Sequence, residues 1–280
     1  MRRLGFQTSI AGGIHRAIER ARDLGCTTVQ IFSHNPRGWT VKGISDTDTD
    51  AFKKLREKYN ITPVFIHTSY LINLASVNNT LLKKSIDMLV VEMERADAIG
   101  AEYVVIHTGS SSGDKPSDAR KRAIEALNVV ASRGSWKAGL LIENTAGERG
   151  DISSSIKEMA EIINAVKGTL ISGICIDTCH AFSAGYDISK DNGIEMIARE
   201  IKEHIRIENL KLIHLNDSKA GCGSGIDRHE HIGKGKIGMK GLASFINYPP
   251  FKDIPLILET PKKTEDDDRM NLERAMSMLR

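Results

Sequence analysis

The segment YVVIH, residues 103–107, shows the pattern from which the fold of this chain can be worked out. Four apolar residues follow one another, and the run then ends in a histidine. Similar runs recur at LLIEN (140–144), GICID (173–177), LKLIH (210–214) and PLILE (255–259). These runs lack the polar alternation of a half-exposed strand, so they indicate strands that are buried on both faces of a parallel sheet.

Eight such strands are expected, near residues 4–8, 28–33, 63–67, 103–107, 138–143, 172–177, 210–214 and 254–259. Helical patterns lie between them, at residues 13–24, 46–59, 79–99, 116–133, 152–166, 191–206, 239–247 and 265–279. Eight alternations of strand and helix favour a parallel α/β fold of the closed (β/α)8 TIM-barrel type. An open doubly wound sheet remains possible on pattern alone, although the sequence lacks the glycine-rich motifs of nucleotide-binding folds.

Length and composition set further bounds. The 280 residues suit one barrel of roughly 250 residues with insertions, so residues 1–280 are expected to form a single domain. A net charge of +3 is too small to indicate nucleic-acid binding by itself. The four cysteines form no C-x2-C pair and are expected to be free thiols. With no signal peptide and no long apolar run, the protein is expected to be cytoplasmic and to have no membrane span.

Six consecutive predicted strands end in a side chain that can bind a metal ion. They are His67, His107, Glu143, Asp177, His214 and Glu259, and successive members lie 34 to 45 residues apart, about one strand–helix unit. In a closed barrel these strand ends meet on one face, where barrel enzymes keep their active sites. Any one of them could be a rim histidine or a helix cap. Three imidazoles and three carboxylates together are costly to bury unless cations accompany them.

Two further pairs extend this set. Asp177 and His180 stand in the segment DTCH, and Asp227 and His229 form a D-x-H pair in the glycine-rich segment 216–238. Alone, the second pair would indicate only a solvated loop. Nine candidate ligands are too many for one tetrahedral zinc ion, and five histidines among them favour zinc over magnesium or calcium, with manganese possible at part of the site. A cluster of two or three ions suits phosphodiester hydrolysis.

Longer motifs then connect the chain to a known family. The segments HTSYLINLAS (67–76), IENTAG (142–147), CIDTCHAFSAGYD (175–187), HLNDSK (214–219), DRHEHIGKGKIG (227–238) and LILET (256–260) resemble the endonuclease IV family of abasic-site endonucleases, and the match extends from GFQTSIAGG (5–13) to LILETP (256–261). The resemblance implies a (β/α)8 barrel that holds three Zn²⁺ ions. It implies that His67, His107 and Glu143 bind the first zinc, that Glu143, Asp177, His214 and Glu259 bind the second, and that His180, Asp227 and His229 bind the third.

The activity that the resemblance implies is DNA repair on double-stranded DNA that contains abasic sites. Members of the family hydrolyse the phosphodiester 5′ to the abasic site, leave a 3′-hydroxyl and a 5′-deoxyribose phosphate, and remove blocking groups from 3′ ends. The implied reaction is in-line attack by a hydroxide that the zinc cluster activates, while the cluster also stabilises the leaving 3′-oxygen. A monomer is expected on the same ground.

Arg37, Tyr70 and Leu71 match the family positions that enter the base stack, so the resemblance implies that they contact DNA. A wedge of this kind replaces the stacking lost when a nucleotide is flipped out. The alternative is that Tyr70 and Leu71 only cap the barrel rim. Gln7 replaces a histidine of many members, with little loss of metal expected. Pro36 and Gly38 replace more polar residues beside Arg37. His15, His34 and His204 are expected on surfaces, without a specific role.

Two other functions stay open at this level. A sugar isomerase or epimerase on the same barrel would also use histidine and carboxylate ligands, but it needs fewer of them and has no use for the D-x-H pair or a wedge. A non-catalytic binder of damaged DNA with structural zincs would bind abasic duplex without cutting it. Metal counting and a cleavage assay separate the three.

Overall fold

The computed structural model describes residues 2–111, 113–264 and 266–280. Eight parallel strands close into a barrel, namely β1 (Leu4–Thr8), β2 (Thr28–Phe32), β3 (Val64–His67), β4 (Tyr103–Ile106), β5 (Gly139–Glu143), β6 (Ile171–Asp177), β7 (Leu210–His214) and β10 (Leu256–Leu258). Two short strands, β8 (Asp217–Ser218) and β9 (His229–Glu230), form a separate antiparallel hairpin. The predicted TIM barrel is therefore confirmed.

Helices connect the strands on the outside of the barrel. They are α1 (Arg16–Asp23), α2 (Asp46–Lys58), α3 (Asn79–Ile99), α4 (Pro116–Arg133), α5 (Ile156–Ala165), α6 (Thr178–Ser183), α7 (Asp191–His204), α8 (Gly238–Ile246) and α9 (Asp267–Met278), with a 3-10 turn at Ile207–Asn209. Within the described ranges, no helix is long and apolar enough to cross a membrane.

The predicted helices differ from the observed ones mainly at their first turns. The bounds of α3 and α4 agree with the predictions, but α5 begins four residues late because Ser155 and Glu158 form a capping box there. The helix predicted at 265–279 has its first residue, Glu265, outside the described residues. Three short elements had no predicted counterpart: α6 and the strands β8 and β9 are too brief to show a period in the sequence.

The buried residues form two layers. A large cluster lies between the outer surface of the strands and the helices. A smaller cluster fills the barrel interior with one residue from each of six neighbouring strands: Phe65, Val105, Leu141, Cys175, Leu212 and Ile257, all fully buried. The strands are thus covered on both faces, as their unbroken apolar runs predict.

Barrel closure depends on a close approach of β1 to its two neighbours. Leu4, Gly5 and Phe6 pair with Leu256–Leu258 of β10, and β1 pairs with β2 on the other side. A Cβ atom on Gly5 would lie 1.9 Å from the backbone oxygen of Thr28, which is far inside contact distance. Only glycine therefore fits at this position.

We predict that Gly5→Ala lowers the free energy of unfolding by about 1–3 kcal/mol, because the added methyl group must push β2 away from β1. Denaturant unfolding followed by circular dichroism measures the change. The matched control is Gly43→Ala, since no described heavy atom lies within 4 Å of the added Cβ atom there. Equal stability of the two variants would contradict the close approach.

Candidate metal centre

The inner barrel cluster lies directly beneath the candidate ligands. Successive side chains of a strand point to opposite faces, so residues two apart point to the same side. Each interior residue of the inner cluster precedes a candidate ligand by two positions, as Phe65 precedes His67 and Leu141 precedes Glu143. The same pleat that fills the barrel with apolar side chains therefore directs six polar ones to its mouth.

Glu143 lies at the middle of this mouth and is fully buried. Its Oε2 atom lies 3.2 Å from Nε2 of His67 and 3.1 Å from Nε2 of His107. Its Oε1 atom lies 2.9 Å from Nδ1 of His214, which is itself 3.3 Å from Oε2 of Glu259. The two oxygens of one carboxylate thus face two separate groups of donors.

Three compact groups together contain all nine candidate ligands, and the donor atoms of each group lie within 4.8 Å of one another. The groups are His67, His107 and Glu143; Glu143, Asp177, His214 and Glu259; and His180, Asp227 and His229. This partition is the one that the family resemblance implies for three zinc ions.

The third group takes its members from α6 and the β8–β9 hairpin rather than from the barrel strands. Nε2 of His180 lies 3.3 Å from Oδ2 of Asp227, and Nε2 of His229 lies 3.3 Å from Oδ1 of the same residue. The buried Asp217 carboxylate accepts hydrogen bonds from the backbone of Gly235 and Ile237, which fixes the end of this glycine-rich segment. The segment is therefore held in place over the mouth.

Each of four histidines has one ring nitrogen bonded to an oxygen outside the three groups, and its other nitrogen lies near a carboxylate within them. Nδ1 donates to a backbone carbonyl in three cases: His67 to Thr68, His180 to Asn144 and His229 to Glu259. In His214 it is Nε2 that donates, to Oε1 of Gln30 at 2.8 Å. Outer hydrogen bonds of this kind fix the tautomer and the orientation of metal-binding histidines.

Gln30 and two asparagines form a second ring around the carboxylates, and none of the three was predicted from the sequence. The Gln30 amide donates to Glu259 at 2.6 Å while it accepts from His214. Asn216 donates to Asp177 at 2.6 Å, and Asn144 accepts from the backbone of Asp177. The two asparagines stand in the IENTAG and HLNDSK motifs, directly after Glu143 and two residues after His214, which was the available signal.

Burial and neighbouring charges have opposite effects on the pKa values of the residues in the centre. Burial alone would raise the pKa of Glu143, but His214 and His107 outweigh burial and hold that pKa well below its usual value. Burial would lower the pKa of His180, but Asp177, Asp227 and Glu143 raise it well above its usual value. The buried rings and carboxylates thus favour each other's charged forms, and a divalent ion that binds here would compete with protons for the ring nitrogens.

Two buried atoms test whether the residues fit metal ions. Nε2 of His180 and Nε2 of His229 have no hydrogen-bond partner within the described parts of the chain, although each lies 3.3 Å from a carboxylate oxygen of Asp227. A buried imidazole nitrogen without a hydrogen bond costs free energy, and a cation between the rings and the carboxylate would satisfy it. The donor set therefore fits metal binding.

Two cysteines also lie within reach of the centre, because the thiol of Cys175 is within 4.8 Å of donor atoms of Glu143 and His214, and that of Cys179 is within 4.8 Å of donor atoms of Asp177 and His229. All four cysteines are free, as predicted. Cys175 and Cys179 lie near the centre, but burial raises the pKa of each thiol to about 12, with the neighbouring carboxylates adding to the effect at Cys179. A thiol must lose its proton to bind zinc, so a raised pKa makes these two thiols poor ligands.

A cavity of about 250 Å³ opens above the donors and is lined by Tyr70 and Gln7 as well as by several of them. Tyr70 is 64% exposed and packs edge-on against Phe32, with ring centroids 5.0 Å apart. Arg37 is exposed and Leu71 is half-buried. Both polar atoms of the Gln7 amide are buried and make no hydrogen bond with any described residue. Of the three predicted DNA contacts, Tyr70 lines this cavity together with Gln7, and the DNA-binding role of all three stays a prediction.

One expectation about the histidines is wrong. His34 was expected on a surface without a role, but it is 7% exposed and its Nε2 lies 2.9 Å from Oε1 of the buried Glu92. A charged partner 58 positions away on α3 decides its burial, and nothing in the local sequence shows that partner.

The fold and the clustered donors define a metal-dependent TIM-barrel protein. The family described as the xylose isomerase-like TIM barrel matches residues 18–280. The chain is 44% identical to a probable endonuclease 4 of Halothermothrix orenii, with 97% of this chain and 99% of that protein covered. The crystal structure of endonuclease IV from Thermus thermophilus superposes with a TM-score of 0.86 at 37% identity, over 99% and 98% of the two chains.

The chain therefore belongs to the endonuclease IV family. A D-tagatose 3-epimerase-like protein also shares the barrel, with a TM-score of 0.72 over 98% of this chain and 96% of that one. Its identity is 18%, so this likeness concerns the fold alone.

The two glutamines of the sequence provide a matched test of the second ring. We predict that Gln30→Leu weakens metal retention about ten- to a hundredfold, because His214 and Glu259 lose the amide that orients both. Gln7→Leu, which removes an amide that bonds to no described residue, should keep the wild-type metal content. Elemental analysis after graded exposure to a chelator measures both. Equal retention in the two variants would contradict the role of Gln30.

Proposed function

We propose that this protein cleaves double-stranded DNA at abasic sites by hydrolysing the phosphodiester 5′ to the lesion, which leaves a 3′-hydroxyl and a 5′-deoxyribose phosphate. The same site would remove blocking groups from 3′ ends. As a member of the endonuclease IV family the chain is a DNA-repair endonuclease, and thus a hydrolase. The proposal adds the lesion, the bond that is cut and the three-zinc centre, and it treats residues 1–280 as one domain that acts as a monomer.

The observation that carries the proposal is the division of nine donors into three groups that share Glu143 between two of them. His67 and His107 with Glu143 would hold one zinc. Glu143 with Asp177, His214 and Glu259 would hold the second, and His180, Asp227 and His229 the third. Manganese could replace zinc at part of this set.

When bound, the zincs would supply the positive charge and the Lewis acidity that make water a nucleophile and stabilise a departing alkoxide. Three divalent ions bring six positive charges against the four carboxylates of the donor set, so the filled site would attract a phosphodiester. The side chains of the protein would position the ions and leave an opening for the substrate. His107 and Asp227 are the donors most open to solvent, with 37% and 43% of their side chains exposed, so substrate enters between them.

Residues on the rim would select the lesion. Tyr70 presents its ring at the edge of the cavity, braced by Phe32 and near the ring of His67, 6.2 Å away. Arg37 is close enough to Tyr70 for its charge to oppose the rise that burial causes in the tyrosine pKa. A ring and a guanidinium side by side can fill the gap left by an abasic nucleotide that has turned out of the duplex.

A sugar epimerase function has less support. The shared barrel is a fold-level likeness at 18% identity, and fold alone does not define function. The third donor group stands outside the strand ends, in α6 and the β8–β9 hairpin. A one- or two-ion epimerase site would have no need of that group.

We predict that Glu143→Ala lowers abasic-site cleavage at least about a thousandfold, because two donor groups lose the carboxylate that they share and several kcal/mol of charge stabilisation go with it. An end-labelled duplex with one abasic site measures cleavage, and elemental analysis of the same sample counts zinc. The matched control, Glu125→Ala on the outer face of α4, should cleave normally. Near-normal turnover by Glu143→Ala would rule out the shared-ligand assignment.

Tyr70→Ala is expected to weaken binding to abasic duplex about ten- to a hundredfold, since an aromatic side chain stacked on a base contributes about 1–3 kcal/mol. Zinc content should stay at the wild-type value, because Tyr70 belongs to none of the three donor groups. Tyr70→Phe retains the ring and should bind nearly as the wild type does. Loss of zinc from Tyr70→Ala would instead assign the residue a structural role.

A further inference from the structure

Two loops carry the three residues that the proposed function assigns to DNA contact, and one of the three, Tyr70, lines the cavity. Residues 33–45 follow β2 and contain Arg37, and residues 68–78 follow β3 and contain Tyr70 and Leu71. Both loops pass over the middle of α3, where Glu92 is buried with 1% of its surface exposed. A buried carboxylate outside the donor groups requires an explanation, because burying a charge is costly unless it is paired.

Glu92 binds both loops at once. Its Oε1 atom accepts from Nε2 of His34 at 2.9 Å and from the backbone N–H of Ser69 at 3.3 Å. Its Oε2 atom accepts from the Ser33 hydroxyl at 2.5 Å, and Nε of Arg95 donates to that hydroxyl at 2.9 Å. One carboxylate thus joins the start of the first loop to the start of the second.

Ser69 adds a direct link between the loops. Its hydroxyl donates to the backbone oxygen of Pro36, at 2.8 Å, and accepts from the backbone N–H of Leu71, at 3.2 Å. The residue before Arg37 and the residue after Tyr70 are therefore bonded to the same side-chain oxygen. A shift of either loop would break this contact.

His34 completes the connection. Its Nδ1 lies 2.9 Å from the backbone oxygen of Asn35 and its Nε2 faces Glu92, so both ring nitrogens face acceptors. These two contacts hold the ring between the first loop and α3. Asn35 in turn accepts from the backbone N–H of Arg37 at 3.1 Å, which extends the fixed geometry to that residue.

We propose that Glu92 is a positioning residue for DNA recognition: it holds the Arg37 loop and the Tyr70 loop together as one preformed edge. This inference rests on the proposed function. Because the loops are ordered before DNA arrives, the ordering cost does not reduce the affinity, and both side chains meet the lesion in one geometry.

The experiment compares the zinc-loaded wild type with Glu92→Gln on a duplex carrying one abasic site. Glu92→Gln should raise KM roughly tenfold, since several rim side chains must then be ordered on binding, while kcat and zinc content change little. Glu94→Gln is the matched control, because it removes the same charge from an exposed position on the same helix. Hydrogen exchange of residues 33–45 and 68–78 should be faster in Glu92→Gln alone.

Three further variants separate positioning from general damage to the fold. Ser69→Ala removes the link to Pro36 and should raise KM in the same direction, and it decides the matter if Glu92→Gln fails to fold. His34→Ala should raise KM, whereas His34→Gln retains a donor for Glu92 and should restore it. In an Arg37→Ala background the effect of Glu92→Gln should shrink, because Glu92 acts through that loop.

The outcomes are distinct. Unchanged KM in folded Glu92→Gln and Ser69→Ala, a rise equal to that of Glu94→Gln, or full additivity with Arg37→Ala would each overturn the role of Glu92 and leave the proposed function intact. A wild-type protein that holds zinc but cuts no abasic duplex would overturn the proposed function, and this role with it.

Discussion

The centre depends on the two-residue period of the barrel strands. Because the pleat sends alternate side chains inward, each of six strands places one apolar residue in the barrel interior and one polar residue two positions later at the mouth. The close-packed interior cannot be compressed, so it sets the height and spacing of the polar ring above it. Glu143 and His214 are fully buried above this interior, with Oε1 of the first 2.9 Å from Nδ1 of the second. The positions of the polar side chains at the mouth thus depend on the packing of the barrel interior.

Six strand ends supply two of the donor groups, and the third needs chain that the barrel does not provide. His180 comes from a single turn after β6 that Asp177 caps through its own carboxylate, and the β8–β9 hairpin brings Asp227 and His229 over the mouth. The carbonyl of Glu259 also anchors the ring of His229. The groups are therefore linked through their outer hydrogen bonds, and a disturbance at one strand end reaches more than one of them.

The sequence was informative where a local pattern determines the result, and it was silent where distant residues meet. Unbroken apolar runs that end in polar residues predicted the barrel and its polar mouth. Such runs, and the alternation of strands with helices, can be recognised from residues that are near one another in the sequence. The motif resemblance implied which of the nine candidate ligands would bind each of three zinc ions. Gln30 could not be found in this way, since it lies 184 positions from His214 and 229 from Glu259 and sits in an ordinary strand sequence. The surface expectation for His34 failed for the same reason, because its burial is set by Glu92 on another element.

Two sides of the barrel mouth carry different sets of residues. Strands β5, β6 and β7, with the segments that follow them, carry most of the donors, whereas the loops after β2 and β3 carry Arg37 and Tyr70. His67 belongs to both sides, because it ends β3 within the first donor group and its ring lies beside that of Tyr70. The loop after β2 is held by hydrogen bonds to Glu92 and Ser69 and through Ser33 to Arg95, whereas the loop after β3 also orients a donor, because the backbone oxygen of Thr68 accepts from His67. The departures at Pro36 and Gly38 fall in the first of these loops, where the backbone oxygen of Pro36 still accepts from Ser69.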